Sequence, residues 1–274
     1  MKRLTAITIL LLIFACPLMA QENYNQEVPT DRVNTLYDIL PRWLVDCPTA
    51  GTLHRGYYNL GLNVFRDGGG LGFADIGLSS RFMLGVSYGG QGLVSDHTVD
   101  WFPRIGFSTR FRIVDEMEFF PAFTIGYSDQ GHGGWSEVYD RYEYKSPGFF
   151  GVLSRNFYFY RWSAGWHVGL NYSLEHDVDN DDNINLFAGI DVAFNYNLGL
   201  LVEWNSAWND NDETTPISGR GYGYLNTSIK WLFTSNLELE LLLKDLLGNR
   251  PNWRGYNAGV SREIRLTYID SFGR

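Results

Sequence analysis

The sequence predicts an all-β protein, a transmembrane antiparallel up-and-down β-barrel of about twelve strands with short periplasmic turns and long extracellular loops. Three observations carry this. Apolar and small polar residues alternate with period two through most of the chain after residue 53. The alternating runs are about 9–12 residues long, the length a tilted membrane strand needs and longer than an ordinary soluble strand. The segments between them are short and long in turn.

Composition agrees. Of 274 residues, 45% are apolar, 19% charged and 16% aromatic, with 30 glycines and a formal net charge of −9. Disorder needs more charge and fewer aromatics. Two cysteines cannot supply a disulfide scaffold or a four-ligand zinc site. The acidic balance argues against nucleic acid as a partner. A mean hydropathy of −0.20 excludes a bundle of apolar spanning helices.

Residues 1–20 read as a signal peptide: Lys2 and Arg3, an apolar run from Thr5 to Ala15, and Ala20 before a polar start at Gln21. Lipoprotein processing at Cys16 is the alternative, which Phe14 fits badly. Processing leaves Cys47, read as an inert thiol. Residues 21–51 form a periplasmic N-terminal segment. There Thr30–Leu40 places Val33, Leu36, Tyr37 and Leu40 at helical spacing before Pro41, as a short helix, a plug or a flexible leader.

The barrel spans 52–274. Its first strand sets Tyr58, Leu60, Leu62 and Val64 against Asn59, Gly61 and Asn63. The second sets Ala74, Ile76 and Leu78 against Asp75 and Gly77; the third sets Leu84, Val86 and Tyr88 against Gly85 and Ser87. Residues 104–113 alternate around Phe107 and Phe111, and 118–127 around Phe123 and Ile125. Phe149–Tyr158 alternates less cleanly. Residues 164–173 set Trp166, Val168 and Leu170 against His167, Gly169 and Asn171. Residues 184–192, 198–205, 224–233 and 237–244 follow, the last as Leu237, Leu239, Leu241 and Leu243 against Glu238, Glu240 and Lys244. Ala258–Ile269 breaks phase near Arg262, where a bulge is expected. Tyr88, Trp101, Phe157, Trp204, Trp231 and Tyr268 near strand ends match interfacial girdles. This fold places the protein in the bacterial outer membrane, with membrane lipid as its surroundings and both termini in the periplasm.

The inward phase defines the candidate site residues. Asp75, Arg104, Arg110, Arg112, Glu118, His167, Asp191, Glu203, Lys230, Glu238, Glu240 and Lys244 are read as lumen-facing charges of mixed sign, with Arg265 and Glu263 beside them. Mixed signs favour paired networks over a one-signed ion pathway. Trp135, Tyr139, Tyr142 and Tyr144 lie together in a long external loop, as aromatic faces for stacking on sugars. Asp177, Asp179 and Asp181 alternate as in a weak calcium loop, but Asp182 and Ala188 stand where an EF-hand needs glycine and glutamate. No cofactor is expected. His167 and Ser173 are too far apart along one strand for a hydrogen-bonded pair, so no enzyme is expected.

Several stretches resemble the YjbH-like outer-membrane barrels associated with exopolysaccharide production. They are Pro48-Thr49-Ala50-Gly51, Ile76-Gly77-Leu78, Leu84–Gly90, Pro121-Ala122 with Ile125-Gly126-Tyr127, Asp129-Gln130-Gly131, Lys145–Phe150, Ser154–Phe157 and Gly169–Ser173, with a weaker likeness at Ser261-Arg262-Glu263. The resemblance covers about residues 48–200, and this chain is similar to a single barrel of that group. It implies a role in export or surface organisation of exopolysaccharide, with polysaccharide or envelope export components as partners. No catalytic residues carry over. A small-solute, porin-like channel and a structural or adhesive barrel acting through its loops are the alternatives.

Overall fold

The structure is a computed structural model that describes residues 41–95, 98–159, 162–211, 215–250, 252–253, 256–257 and 259–272. The expected signal peptide, Cys16 and the Thr30–Leu40 helix lie outside the described residues.

Twelve strands form the barrel: β1 (Tyr57–Phe65), β2 (Gly69–Ser79), β3 (Phe82–Gln91), β4 (Gly106–Val114), β5 (Ala122–Ser128), β6 (Gly148–Tyr158), β7 (Ser163–Tyr172), β8 (Asn185–Ala193), β9 (Leu198–Asn205), β10 (Tyr224–Leu232), β11 (Leu237–Lys244) and β12 (Ser261–Ser271). Each pairs antiparallel with its sequence neighbours. β1 pairs β12 in unbroken register from Tyr57↔Ser271 to Val64↔Ile264, which closes the barrel and removes both sheet edges. Where strands alternate so strictly, one residue of slip would turn a lipid-facing set inward, so the pattern itself specifies the register.

The outward face is apolar. Leu60, Leu62, Phe111, Leu170, Ile229, Leu241, Ile264 and Leu266 are exposed on the strands. Tyr88 stacks on Trp101 at the extracellular rim, with ring centroids 5.6 Å apart, and Phe159 stacks on Trp162 at the periplasmic rim. Among the described residues no helix is long and apolar enough to cross a membrane; the strands cross it.

Three strand expectations need correction. β6 alternates cleanly, with Phe150, Val152 and Ser154 buried and Phe149 and Leu153 outward. β12 starts at Ser261 and runs past Arg262 without a bulge, Arg262 lying outward at the extracellular end where water and headgroups receive its charge. β4 begins at Gly106 rather than at 104, and β5 at Ala122 rather than at 118, just after Pro121, which has no N–H to give a ladder.

Leu266 is at the middle of β12 on the lipid face. Leu266→Arg is expected to lower stability in lipid bilayers by about 2–4 kcal/mol, read by reversible denaturant unfolding in vesicles. A loss below about 0.5 kcal/mol would place this face out of the hydrocarbon.

Candidate functional site

The barrel interior is occupied by the chain's own N-terminal side. Residues 41–53 enter the lumen as a tight reversal. Leu44 N–H donates to Cys47 O at 2.9 Å, Thr49 N–H donates to Arg42 O at 3.1 Å, and Trp43 bridges Pro48. Leu44, Val45, Cys47, Thr49 and Ala50 are buried. The segment expected beneath the barrel is therefore a plug within it from residue 41 onward.

A plug backbone brings donors and acceptors that water no longer reaches, and each must be matched. At the tip, the N–H groups of Val45, Asp46 and Cys47 all point at the Glu203 carboxylate of β9, at 3.0, 3.0 and 2.8 Å. Successive amides in a turn make such an anion-binding concavity. Asn226 Nδ2 donates to the same carboxylate at 2.7 Å. The opposite wall serves the carbonyls. Arg110 Nη1 donates to Arg42 O, and to Thr49 and Gly51 O at 3.4 and 3.3 Å, while its guanidinium lies 4.2 Å over the Trp43 ring. Arg112 donates from Nε and Nη2 to Ala50 O at 3.1 and 2.9 Å, joined by Thr124 Oγ1 at 3.1 Å. Arg265 Nη2 reaches Val45 O at 2.9 Å.

The plug also has an apolar side. Leu44, Cys47 and Ala50 share a buried cluster with Ala122, Phe150, Val152, Phe187 and Leu201. Gly189 makes room: a Cβ there would stand 2.5 Å from Leu44 Cδ1. Strand phase had assigned the inward face to glycine, asparagine and serine. Phe150, Phe187 and Leu201 occupy inward positions too, and they were the sequence signal that something apolar fills the lumen.

Ten of the twelve expected lumen charges are on the barrel wall. Asp75, Arg110, Arg112, His167, Asp191, Glu203, Lys230, Glu238, Glu240 and Lys244 lie on β2, β4, β7, β8, β9, β10 and β11 and are buried or half-buried. They pair as Lys230–Glu238 at 3.0 Å, Arg265–Glu240 at 3.1 Å, and Lys244 with both plug Asp46 at 2.7 Å and Glu263 at 2.9 Å. Arg104 and Glu118 are corrections. Both are exposed outside the strands, because β4 and β5 begin after them; Arg104 lies 5.5 Å over the Trp135 ring instead.

Over the extracellular mouth lies a hairpin of His132–Ser136 and Arg141–Tyr144. Its aromatics were expected to face sugars. Trp135, Tyr142 and Tyr144 are 5%, 0% and 6% exposed, so their ring faces are already taken. Trp135 and Tyr142 pack with Phe65, Leu71 and Phe102, Tyr144 packs with Tyr224, and Tyr139 is half-buried against Ile217. They form the core of a cap.

The calcium reading is also corrected. Asp179 binds Arg141 at 2.9 Å and Lys145 at 2.8 Å, Asp181 accepts from Asn183 and the Asn211 amide, and Asp177 is exposed. Among the described residues no three His, Cys, Asp or Glu side chains gather as metal ligands. The acidic loops neutralise the cap's cations instead. Asp210 holds Arg141 at 2.9 Å and Arg250 at 2.6 Å; burial opposes its charge, but the two guanidinia hold its carboxyl below the ordinary range. Arg66 pairs with Glu143.

Plug and cap meet at His132, whose Nδ1 is 3.3 Å from Asp46 Oδ1. Cavities of about 100 and 40 Å³ flank the plug, the larger touching Trp43, Asn63 and Arg265 and the smaller touching Cys47, Tyr144 and Asn171. Each has room for a few waters.

No family model and no curated protein matches the chain. Among solved structures, the KdgM porin is similar at TM-score 0.43 and 9% identity, over 79% of this chain and 99% of that one. Omp33 of Acinetobacter baumannii is similar at TM-score 0.43 and 6% identity, over 81% and 100%. Wzi of Escherichia coli, a carbohydrate-binding barrel involved in group 1 capsule assembly, is similar at TM-score 0.31 and 12% identity, over 79% of this chain and 56% of that one. The closed twelve-stranded barrel with its apolar belt is that of a bacterial outer-membrane protein.

Burial, reinforced by Lys244 and Arg265 and opposed by Asp46, lowers His132 to about 4. An uncapped histidine keeps its ordinary value near 6.5, so the open form takes up a proton first. Cap stability is therefore full above about pH 6.5 and is lost as pH falls toward about 4, by roughly 2–3 kcal/mol. Labelling of Cys47 by 4,4′-dithiodipyridine is expected to accelerate across that window, and His132→Gln to flatten the profile. An unchanged profile in the variant would remove His132 from the cap's response.

Proposed function

We propose that this barrel is a gated, porin-like passage for small polar solutes, closed here by residues 41–51. The observation that carries the reading is the partner set of the lumen wall. Glu203 and Arg110 are buried and Arg112 is half-buried, and their hydrogen-bonding partners come largely from the plug backbone. Each answers backbone groups of the plug that would otherwise be unmatched. Charges kept on this wall suit a surface that faces water when the plug leaves. The polar contacts holding the plug are exchangeable with water, so breaking them costs far less than their gross strength.

A role in export or surface organisation of exopolysaccharide rests on the sequence resemblance. The burial of Trp135, Tyr142 and Tyr144 takes away its expected sugar-stacking surface. If surface polysaccharide is unchanged on deletion of the gene, that role is rejected.

Glu203→Ala removes the acceptor for three amides and is expected to loosen the plug tip. Planar-bilayer recording should find the wild type closed and the variant conducting in stable unit steps. Cys47, which lines the smaller cavity, should label with maleimide at least about tenfold faster in the variant, the equivalent of about 1.4 kcal/mol in the opening equilibrium. Equal conductance in both proteins would contradict gating by the plug. Fast labelling without conductance would contradict a passage.

A further inference from the structure

Three residues on neighbouring strands form a continuous chain on the lumen wall. Ser154 Oγ of β6 is 2.7 Å from His167 Nδ1 of β7, and His167 Nε2 is 2.7 Å from Asp191 Oδ1 of β8. All three are at least nine-tenths buried. Register creates the set: Ser154 is directly opposite His167, and His167 is opposite Gly189, one inward step from Asp191. The hydroxyl near His167 thus comes from the next strand and not from Ser173. Gly165 keeps the place open, since a Cβ there would stand 2.4 Å from Asp191 Oδ1 and 3.1 Å from His167 Nε2. With Asp191 accepting from Nε2–H, Nδ1 is left as an acceptor facing the serine hydroxyl. That is the arrangement of nucleophile, base and orienting carboxylate that activates a serine.

The plug lies across this group. Ala50 N–H donates to Ser154 Oγ at 2.8 Å, while Ala50 C=O is held by Arg112 and Thr124. Hydroxyl and carbonyl-binding donors lie at either end of one residue's backbone, and Ala50 of the chain itself fills the space between them. The N–H···Oγ contact points the oxygen at nitrogen rather than at a carbonyl carbon, so the plug is held and not attacked. The Ala50 methyl belongs to the apolar cluster with Ala122, Phe150 and Val152, which sets the size of the acyl group the place can take.

We propose that Ser154, His167 and Asp191 are a latent hydrolytic triad for short-chain acyl esters on polar molecules, covered by residues 49–51. The proposal rests on the displaceable plug. With the plug withdrawn, Ser154 Oγ bonds to the acyl carbon and gives its proton to His167 Nδ1. The ester's C–O bond breaks, and the alcohol leaves with that proton. Water then attacks the acyl-serine through the same base, releasing the carboxylic acid and restoring the hydroxyl. Arg112 and Thr124 carry the oxyanion in both steps.

A fluorophosphonate probe, which phosphonylates an activated serine with loss of fluoride, tests this on the full-length protein in detergent micelles. The proteins are the wild type, Glu203→Ala, and a variant lacking residues 41–51 shown to be folded by heat-modifiable gel mobility. Labelling mapped to Ser154 by mass spectrometry is expected to rise at least about tenfold in whichever variant exposes Cys47 or lacks the plug. Adding His167→Gln is expected to lower it about a hundredfold or more, and p-nitrophenyl acetate hydrolysis should follow the same order. If Cys47 becomes accessible in Glu203→Ala but Ser154 stays unlabelled, the triad is overturned while the gated plug stands. If Cys47 stays inaccessible there, the latch reading fails and the plug-less barrel decides the triad alone. Absence of labelling in the folded plug-less barrel overturns it, leaving the three residues as a hydrogen-bond chain that positions Ala50.

Discussion

One carboxylate organises the interior. Glu203 accepts three successive amides at the buried plug tip. Without an anion there, the turn at residues 44–47 would bury three unmatched donors, at a cost of about 1–3 kcal/mol each. With it, Val45 O is directed at Arg265, Asp46 at Lys244 and His132, and Leu44 into the space that Gly189 leaves. The tip contact thus fixes where the rest of residues 41–53 meet the wall.

The wall is divided to suit the two faces of that backbone. β4 presents Arg110 and Arg112 to carbonyls, while β9 presents Glu203 to amides. An apolar cluster between them gives the plug a dry side. Above, the cap resolves its own buried charges through Asp179, Asp210 and Arg250 and touches the plug through His132. Plug and cap are thus separate closures joined by the His132–Asp46 contact, and displacement of either one weakens the other.

Strand count, phase and loop parity were legible in the sequence because lipid demands an unbroken outward apolar face, and period two records it directly. The ten lumen charges on strands were legible for the same reason. Arg104 and Glu118 were misplaced because alternation extends back beyond Gly106 and Ala122, where the ladder begins. What fills a lumen is harder to see, because it depends on pairing between residues as far apart as Cys47 and Glu203. The cap misled for a related reason. Tyr142 and Tyr144 look alike in a sugar-binding loop and in a buried core, and only the inward fold of the 132–144 hairpin tells these apart. Ser154 carried no local mark, since its partner His167 stands across the sheet.

The most direct measurement is amide hydrogen exchange of the full-length protein in lipid vesicles, resolved at Val45, Asp46, Cys47 and Ala50. A seated plug predicts protection at these four amides that falls selectively at the first three in Glu203→Ala, while the barrel strands remain unchanged. Exchange of these amides in the wild type at the rate of a free peptide would contradict it.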